Sequence, residues 1–176
     1  MRFILILFLL LGSLGMPYAL DASDEHPSHT PRYFTPPLTV STKDLRCLTA
    51  AIYYESGNQS MSGQEAVGIV VINRVYHPRY PKNICGVVYQ STTVHGKRIC
   101  QFSFACQPRT PRNLQRWNQS KIIATNLLHN QYHFAILRSL NKSLWFHATY
   151  VHPVWAQKTQ RTLKIGDHIF YQEKRS

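Results

Sequence analysis

The hydrophobic pattern of this chain changes period along its length, and that change limits the folds open to it. Early on, apolar residues recur at helical spacing. Leu45, Leu48 and Ile52 fall on one face, and Ala66 to Val75 is apolar nearly all round, as a buried helix would be. Near the end, Leu144 to Val151 is aromatic and β-branched, and two short runs, Thr162 to Ile165 and His168 to Tyr171, flank Gly166-Asp167. A Gly-Asp pair between such runs signals a hairpin. Helices first and strands last, without alternation, is the order of an α+β domain rather than a parallel α/β sheet.

Local signals bound the elements. Ser41 or Thr42 can cap the first helix and Gly57 can stop it. Ser62, with Glu65 three residues on, has the spacing of a capping box and predicts the start of the second helix. Tyr76 to Gln107 is turn-rich. Pro111 suits the first turn of a third helix, with Trp117, Ile122, Ile123, Leu127 and Leu128 as core candidates, and a shorter helix is expected over residues 131–140. These elements make one mainly helical domain over residues 43–176, closed by a small C-terminal β-hairpin.

The N-terminus reads differently. Met1 to Ala19 carries one basic residue, Arg2, then an apolar run too short to favour a membrane span, then small and turn residues. That is the layout of a secretory signal peptide, with an uncleaved anchor as the alternative. Residues 20–42 hold four prolines and no periodicity, and read as an extended tether. The expected location is therefore outside the cytoplasm, in the periplasm or cell envelope or secreted, with no stable membrane span once the signal is removed.

The formal charge of the whole chain is +12. An exported cation of this kind should adhere to anionic cell-wall polymers. The basic residues are scattered and no RNA-binding signature occurs, so nucleic acid is not the expected partner. Four cysteines, Cys47, Cys85, Cys100 and Cys106, all lie beyond the signal. An even count in an oxidising compartment suggests two disulfides, with three pairings open. Cys100 with Cys106 would close a short loop and leave Cys47 with Cys85.

Past the tether the domain holds only five acidic residues, Asp44, Glu55, Glu65, Asp167 and Glu173. Asp44 suits the positive end of the first helix, Glu65 the capping box, Asp167 the hairpin turn and Glu173 the charged tail. Glu55 has no such role. It continues the Leu45–Leu48–Ile52 stripe and follows Tyr53 and Tyr54, so its carboxylate faces apolar and aromatic surface. That placement penalises the charged form and raises the pKa, as a glycosidase's general acid requires. A structural ion pair with a residue such as Arg74 is the competing reading.

At these residues the chain resembles the spore cortex-lytic and cell-wall hydrolase family. Cys47-Leu48-Thr49-Ala50-Ala51-Ile52-Tyr53-Tyr54-Glu55 is similar to its opening motif. Gly63-Gln64, Ala66-Val67 and Val70-Val71-Ile72-Asn73-Arg74-Val75 are similar to its second helix. Pro81, Cys85-Gly86-Val87-Val88-Tyr89-Gln90 and Gln101-Phe102-Ser103-Phe104 resemble its central loops. Trp155-Ala156 and Ile165-Gly166-Asp167-His168-Ile169-Phe170-Tyr171 resemble its end. The resemblance covers about residues 44–171 in one order. It implies a lysozyme-like fold and action on peptidoglycan glycan strands, as a lytic transglycosylase or a related muramidase-type hydrolase. The family's catalytic acid maps onto Glu55.

The family typically follows its glutamate with Ala-Arg-Gly-Glu, where this chain has Ser56-Gly57-Asn58-Gln59. The arginine is absent and the second acid is an amide. Hydrolases that add water usually employ two carboxyl groups, whereas a lytic transglycosylase can use one, first as acid and then as base on the sugar's own 6-hydroxyl. Family position adds Gln101, Ser103, Tyr89 and Tyr150 as substrate-binding candidates, with Phe102 and Phe104 as cleft walls; a core role is the alternative for each aromatic, and a structural role for Gln101 and Ser103. Asn73 and Arg74 suit a structural hydrogen-bonding role. No cofactor is expected: His129 with His133, and His147 with His152, lack an acidic third ligand nearby. The rival readings are a zinc-dependent amidase cutting the peptide stem and a non-catalytic wall-binding module.

Overall fold

The structure, a computed structural model, describes residues 41–129, 134–140 and 142–174. The expected signal peptide, nearly all of the tether, His133 and the first residues of the predicted fourth helix lie outside these. Helix α1 runs Thr42–Ser56, α2 Met61–Tyr76, α3 Ile84–Val88, α4 Ser103–Cys106, α5 Leu114–Leu128 and α6 Phe134–Leu140. Strands β1 (Ser91–Val94) and β2 (Lys97–Cys100) form one antiparallel hairpin. Strands β3 (Trp145–Ala148), β4 (Gln160–Ile165) and β5 (His168–Gln172) form a second sheet in the order β3-β5-β4, also antiparallel.

The α+β expectation holds, with more sheet than the sequence suggested. The hairpin at Gly166 is present, its glycine at φ +51° and its two strands paired. A third strand, β3, extends it. The β1–β2 hairpin arises inside a stretch that reads only as turn-rich. Its strands are short and exposed, so no period-2 pattern marks them. Its turn does carry a signal, His95 at φ +48° followed by Gly96 at φ +76°, the double positive φ of a type I′ turn.

Helix α1 begins where expected: the Ser41 Oγ accepts from the Asp44 amide at 3.0 Å and donates to Asp44 Oδ2 at 2.6 Å. Gly57 ends it; a Cβ there would meet the Tyr53 carbonyl oxygen at 2.5 Å. Two starts differ from expectation. Ser60, not Ser62, caps α2 by accepting from the Gly63 amide at 3.3 Å, so Glu65 is no capping-box partner and lies buried instead. Asn113, not the Pro111 turn, caps α5 by accepting from the Arg116 amide at 2.9 Å. In both cases an Asx or Ser side chain nearer the true boundary won.

The core is the meeting of α1, α2 and α5, with Leu48, Ile52, Val67, Val71, Ile123 and Leu127 fully or almost fully buried. Gly68 sits at that contact, where a Cβ would come within 2.3 Å of Leu127 Cδ1 and 3.1 Å of Ile52 Cδ1. Ile122, predicted for the core, is instead 55% exposed on the outer face of α5. Cys47 is bridged to Cys85, tying α1 to α3, and Cys100 to Cys106, tying β2 to α4. Asn73 anchors the sheet side by donating to the carbonyls of Leu140 at 2.7 Å and Ser143 at 2.9 Å. Among the described residues no helix is long and apolar enough to cross a membrane.

Candidate active site

Glu55 occupies the last turn of α1, between the aromatic pair Tyr53-Tyr54 and the buried Ser56, whose Oγ donates back to the Ile52 carbonyl at 3.0 Å. Its helix is fixed on several sides, by the core stripe, by the Cys47–Cys85 bridge and by Tyr53, so the carboxyl is carried on rigid backbone. It is half-buried. Burial raises its pKa to about 7, against the opposing pull of the Arg74 charge. Among the described residues it makes no hydrogen bond or ion pair. The structural ion pair with Arg74 is therefore not formed, although the cation is near enough to be felt.

Arg74 itself is 2% exposed. Its Nε donates to the Leu144 carbonyl at 2.7 Å, and its guanidinium lies over the rings of Phe102 at 5.3 Å and Tyr80 at 5.5 Å. Burial lowers its pKa to about 10, with Tyr80 and Glu55 acting in the opposite direction. It stays a cation at neutral pH. Its Nη1 is buried without a hydrogen-bond partner among the described residues. The expected structural role is thus real, and an electrostatic one toward Glu55 is added to it.

The other sequence candidates divide. Tyr54 stacks on Phe104 at 4.7 Å, Tyr89 meets Phe104 edge-on at 6.3 Å, and Phe102 lies 6.1 Å from Phe104. This chain of rings joins the central loop to the helical turn that carries Glu55. Phe102 and Phe104 are core residues, 3% and 6% exposed, so they back the wall from behind and offer no open ring to a sugar. Of the two roles open to them, cleft wall or core, their burial fits the core: apolar rings beside a core are drawn inward by the hydrophobic effect. Tyr89 is 47% exposed and available. Gln101 and Ser103 are both exposed, and Gln101 borders a small hollow of about 250 Å³ at the base of the β1–β2 hairpin. Tyr150 is 81% exposed in the turn after β3.

The remaining carboxylates have the structural roles expected of them, Glu65 apart. Asp167 accepts from Gln59 Nε2 at 3.0 Å while Gln59 Oε1 accepts from the Asp167 amide at 3.2 Å. Gln59, which stands where the family's second acid is expected, therefore clamps the α1–α2 loop to the β4–β5 turn. Glu173 pairs with Arg79 and His77. His147 bonds the Tyr171 hydroxyl at 2.8 Å and packs against Trp155 at 5.6 Å, which makes it part of the sheet's aromatic layer. No group of three or more His, Cys, Asp or Glu that could hold a metal occurs among the described residues.

Sequence reasoning missed one feature. A cavity of about 920 Å³ opens beside the end of α1, its lining including Tyr53, Tyr54, Arg109, Arg112 and Arg116. A usable signal was present: no acidic residue occurs anywhere between Glu65 and Asp167, so these arginines have no nearby counter-charge in sequence.

Comparison with known proteins places this geometry in context. A family model described as Cell Wall Hydrolase matches residues 58–171, more than half of the chain. The chain belongs to the cell wall hydrolase family. Glu55 lies just before the matched span. Among curated relatives, a spore cortex-lytic enzyme of Halalkalibacterium halodurans is 32% identical over 72 residues, which cover 41% of this chain and 22% of that protein. One from Bacillus subtilis is 34% identical over 50 residues, 28% of this chain and 16% of that protein. This cell wall hydrolase chain thus matches about a fifth of those relatives' length. Two solved structures share its fold. The catalytic domain of the germination-specific lytic transglycosylase SleB from Bacillus anthracis superposes with a TM-score of 0.60 at 23% identity, over 77% of this chain and 99% of that one. The catalytic domain of the Bacillus cereus SleB protein gives 0.58 at 23% identity, over 77% and 94%.

Proposed function

We propose that this cell wall hydrolase is an exported enzyme that cleaves the glycan strands of peptidoglycan by the anhydro-forming route, with Glu55 as its single general acid and base. The observation that carries this reading is the state of Glu55. It is a half-buried carboxyl, unpaired among the described residues, on a fixed helix end, with a pKa of about 7. A group in that state holds a proton near neutrality and can also give it up, which both halves of the reaction need.

In the first half, protonated Glu55 gives its proton to the glycosidic oxygen. The bond to the anomeric carbon breaks, and its electron pair leaves with that oxygen. In the second half, the Glu55 carboxylate takes the proton of the same sugar's 6-hydroxyl, whose oxygen closes on the anomeric carbon. No water is consumed and Glu55 ends protonated, ready for another cycle. The Arg74 cation opposes the burial effect, so the carboxylate required between the two halves is accessible. The substitution at Gln59 supports one-carboxylate chemistry, because this amide is engaged in holding the β4–β5 turn.

The reading extends outward. Tyr89, Gln101, Ser103 and Tyr150 are exposed side chains that can meet sugar rings and amides, and the excess of basic residues suits adhesion to anionic wall polymers. Residues 1–19 would serve as the signal, 20–42 as the tether and 43–176 as the catalytic domain. Mass analysis of digested sacculi is the test. Products ending in anhydro sugars are expected; reducing ends carrying added water would refute the anhydro route. Glu55→Gln should abolish release of fragments while the variant still binds sacculi. A chelator that stopped the wild-type reaction would point instead to zinc-dependent cleavage of the peptide stem.

A further inference from the structure

Charge and cavity coincide beside α1. The loop before α5 and the first turn of that helix bring Arg109, Arg112 and Arg116 to the lining of the 920 Å³ cavity, which Tyr53 and Tyr54 also line. Among the described residues no aspartate or glutamate lines it. Among the described residues the ion pairs are those of Glu173, so none of the three guanidiniums has a carboxylate partner. The Arg109 guanidinium donates to the Gln107 side-chain oxygen at 2.7 Å. Like charges held together without a counter-ion repel one another, and an oxyanion entering the cavity would relieve that repulsion.

The arginines are also held in place. The Tyr53 hydroxyl oxygen accepts from the backbone amides of Arg112 at 3.2 Å and Asn113 at 3.1 Å, and the Tyr54 hydroxyl donates to the Arg109 carbonyl. Tyr53 is itself braced edge-on against Trp117 at 5.5 Å. The residues that fix the basic loop are thus the two that directly precede Glu55. A helix turn spans about 5.4 Å, so an anion in this cavity lies beside the turn that carries the acid.

We propose that this cavity is a subsite for carboxylates of the peptide stem carried by the glycan strand, and that Arg109, Arg112 and Arg116 make the enzyme prefer stem-bearing strands. The proposal rests on the reading of Glu55 as the glycan-cleaving acid. A strand cleaved at Glu55 brings its own substituents to the adjoining cavity, whereas a separate wall polymer would have to enter independently. Guanidinium forks match carboxylates in two-point contact, and the tyrosine faces suit the apolar parts of a peptide.

The experiment compares intact sacculi with strands stripped of their stems by an amidase, using wild type, Arg112→Ala/Arg116→Ala and Arg112→Lys/Arg116→Lys. For wild type, KM on stem-bearing strands should be at least about tenfold lower than on stripped strands, each lost charge-assisted contact being worth roughly that factor. The double alanine variant should lose this preference with kcat unchanged, and the double lysine variant should keep most of it. Equal KM effects on both substrates, or none on either, would overturn the proposal. Binding of Glu55→Gln to both materials, read by sedimentation, separates this inference from the cleavage reading. If no variant or wild type cleaves either material, the cleavage reading fails, and a binding preference for stem-bearing strands would still uphold the subsite. A preference abolished by removing phosphate-containing polymers, and not by removing stems, would assign the cavity to phosphate and overturn it.

Discussion

Replacing Glu55 with glutamine should make the protein more stable, and by an amount that depends on pH. The folded pKa is raised to about 7 from an ordinary value of 4.5. Between those two values the folded state binds more protons at this site than the unfolded state does, so its contribution to stability falls as pH rises. Below pH 4.5 the carboxyl is protonated in both states and costs nothing relative to a neutral group. Above pH 7 the full difference applies, about 3 kcal/mol at roughly 1.4 kcal/mol for each pH unit separating the two values. Glutamine keeps the shape and never ionises. The stability difference between Glu55→Gln and wild type should therefore be near zero at pH 4, grow through the interval and level off near 3 kcal/mol by pH 9. In a domain of this size that corresponds to about 10 °C in melting temperature. Urea unfolding of both proteins at several pH values, with disulfides intact, measures it directly. A difference that does not change with pH would show that Glu55 is not buried in its charged form, and the argument for it as a proton-holding acid would fail. A variant less stable than wild type at pH 9 would do the same.

Other outcomes follow from the same geometry. Activity limited by protonated Glu55 should fall about tenfold per pH unit above about pH 7, read from kcat against pH on sacculi. Gly68→Ala should destabilise by about 1–3 kcal/mol, because its new methyl group meets Leu127 and Ile52 in the packed three-helix contact. Thermal melts would show it, and an unchanged midpoint would mean that Leu127 has room to turn away. Removing Cys47–Cys85, which closes a separation of 38 residues, should cost about 4 kcal/mol, and Cys100–Cys106, separated by 6, only about 2, when each pair is replaced by alanine. Gln59→Ala should cost about 1–2 kcal/mol by freeing the β4–β5 turn, visible as faster amide exchange at Asp167.

The helices and the final hairpin were legible because their signals are local. A capping serine at 41, a stop at Gly57 and the Gly166-Asp167 turn each act within a few residues, and the core stripe of α1 repeats at helical spacing. The β1–β2 hairpin was not legible, since strands exposed on both faces carry no alternation of polarity. Ser62 offered α2 a plausible capping box, yet the chain enters its helix at Ser60, and Glu65 turns inward. Such competition between nearby caps is decided by packing further along the helix, which no short pattern reports.

The site divides along the same line. Glu55 stood out in sequence because a local role could be read for each of the other acids, wrongly in the case of Glu65, and because a residue on an apolar stripe is drawn toward the interior with it. Its surroundings depend on long-range contacts and stayed hidden. Arg74 comes near it only because α2 packs beside α1 and the Leu144 carbonyl draws the guanidinium inward across 70 residues of chain. The arginine-lined cavity depends on Tyr53 catching the amides of residues 112 and 113 about 60 positions later. The aromatic pair before Glu55, which in sequence served only to argue for burial, thus has a second task. One hydroxyl fixes each end of the basic loop. Replacing Tyr53 by phenylalanine separates the two tasks, because the ring stays and the hydroxyl goes. Under the proposed arrangement the Glu55 pH profile should hold while the preference for stem-bearing strands weakens. If both changed together, loop and acid would be one unit and the cavity could not be treated as a separate subsite.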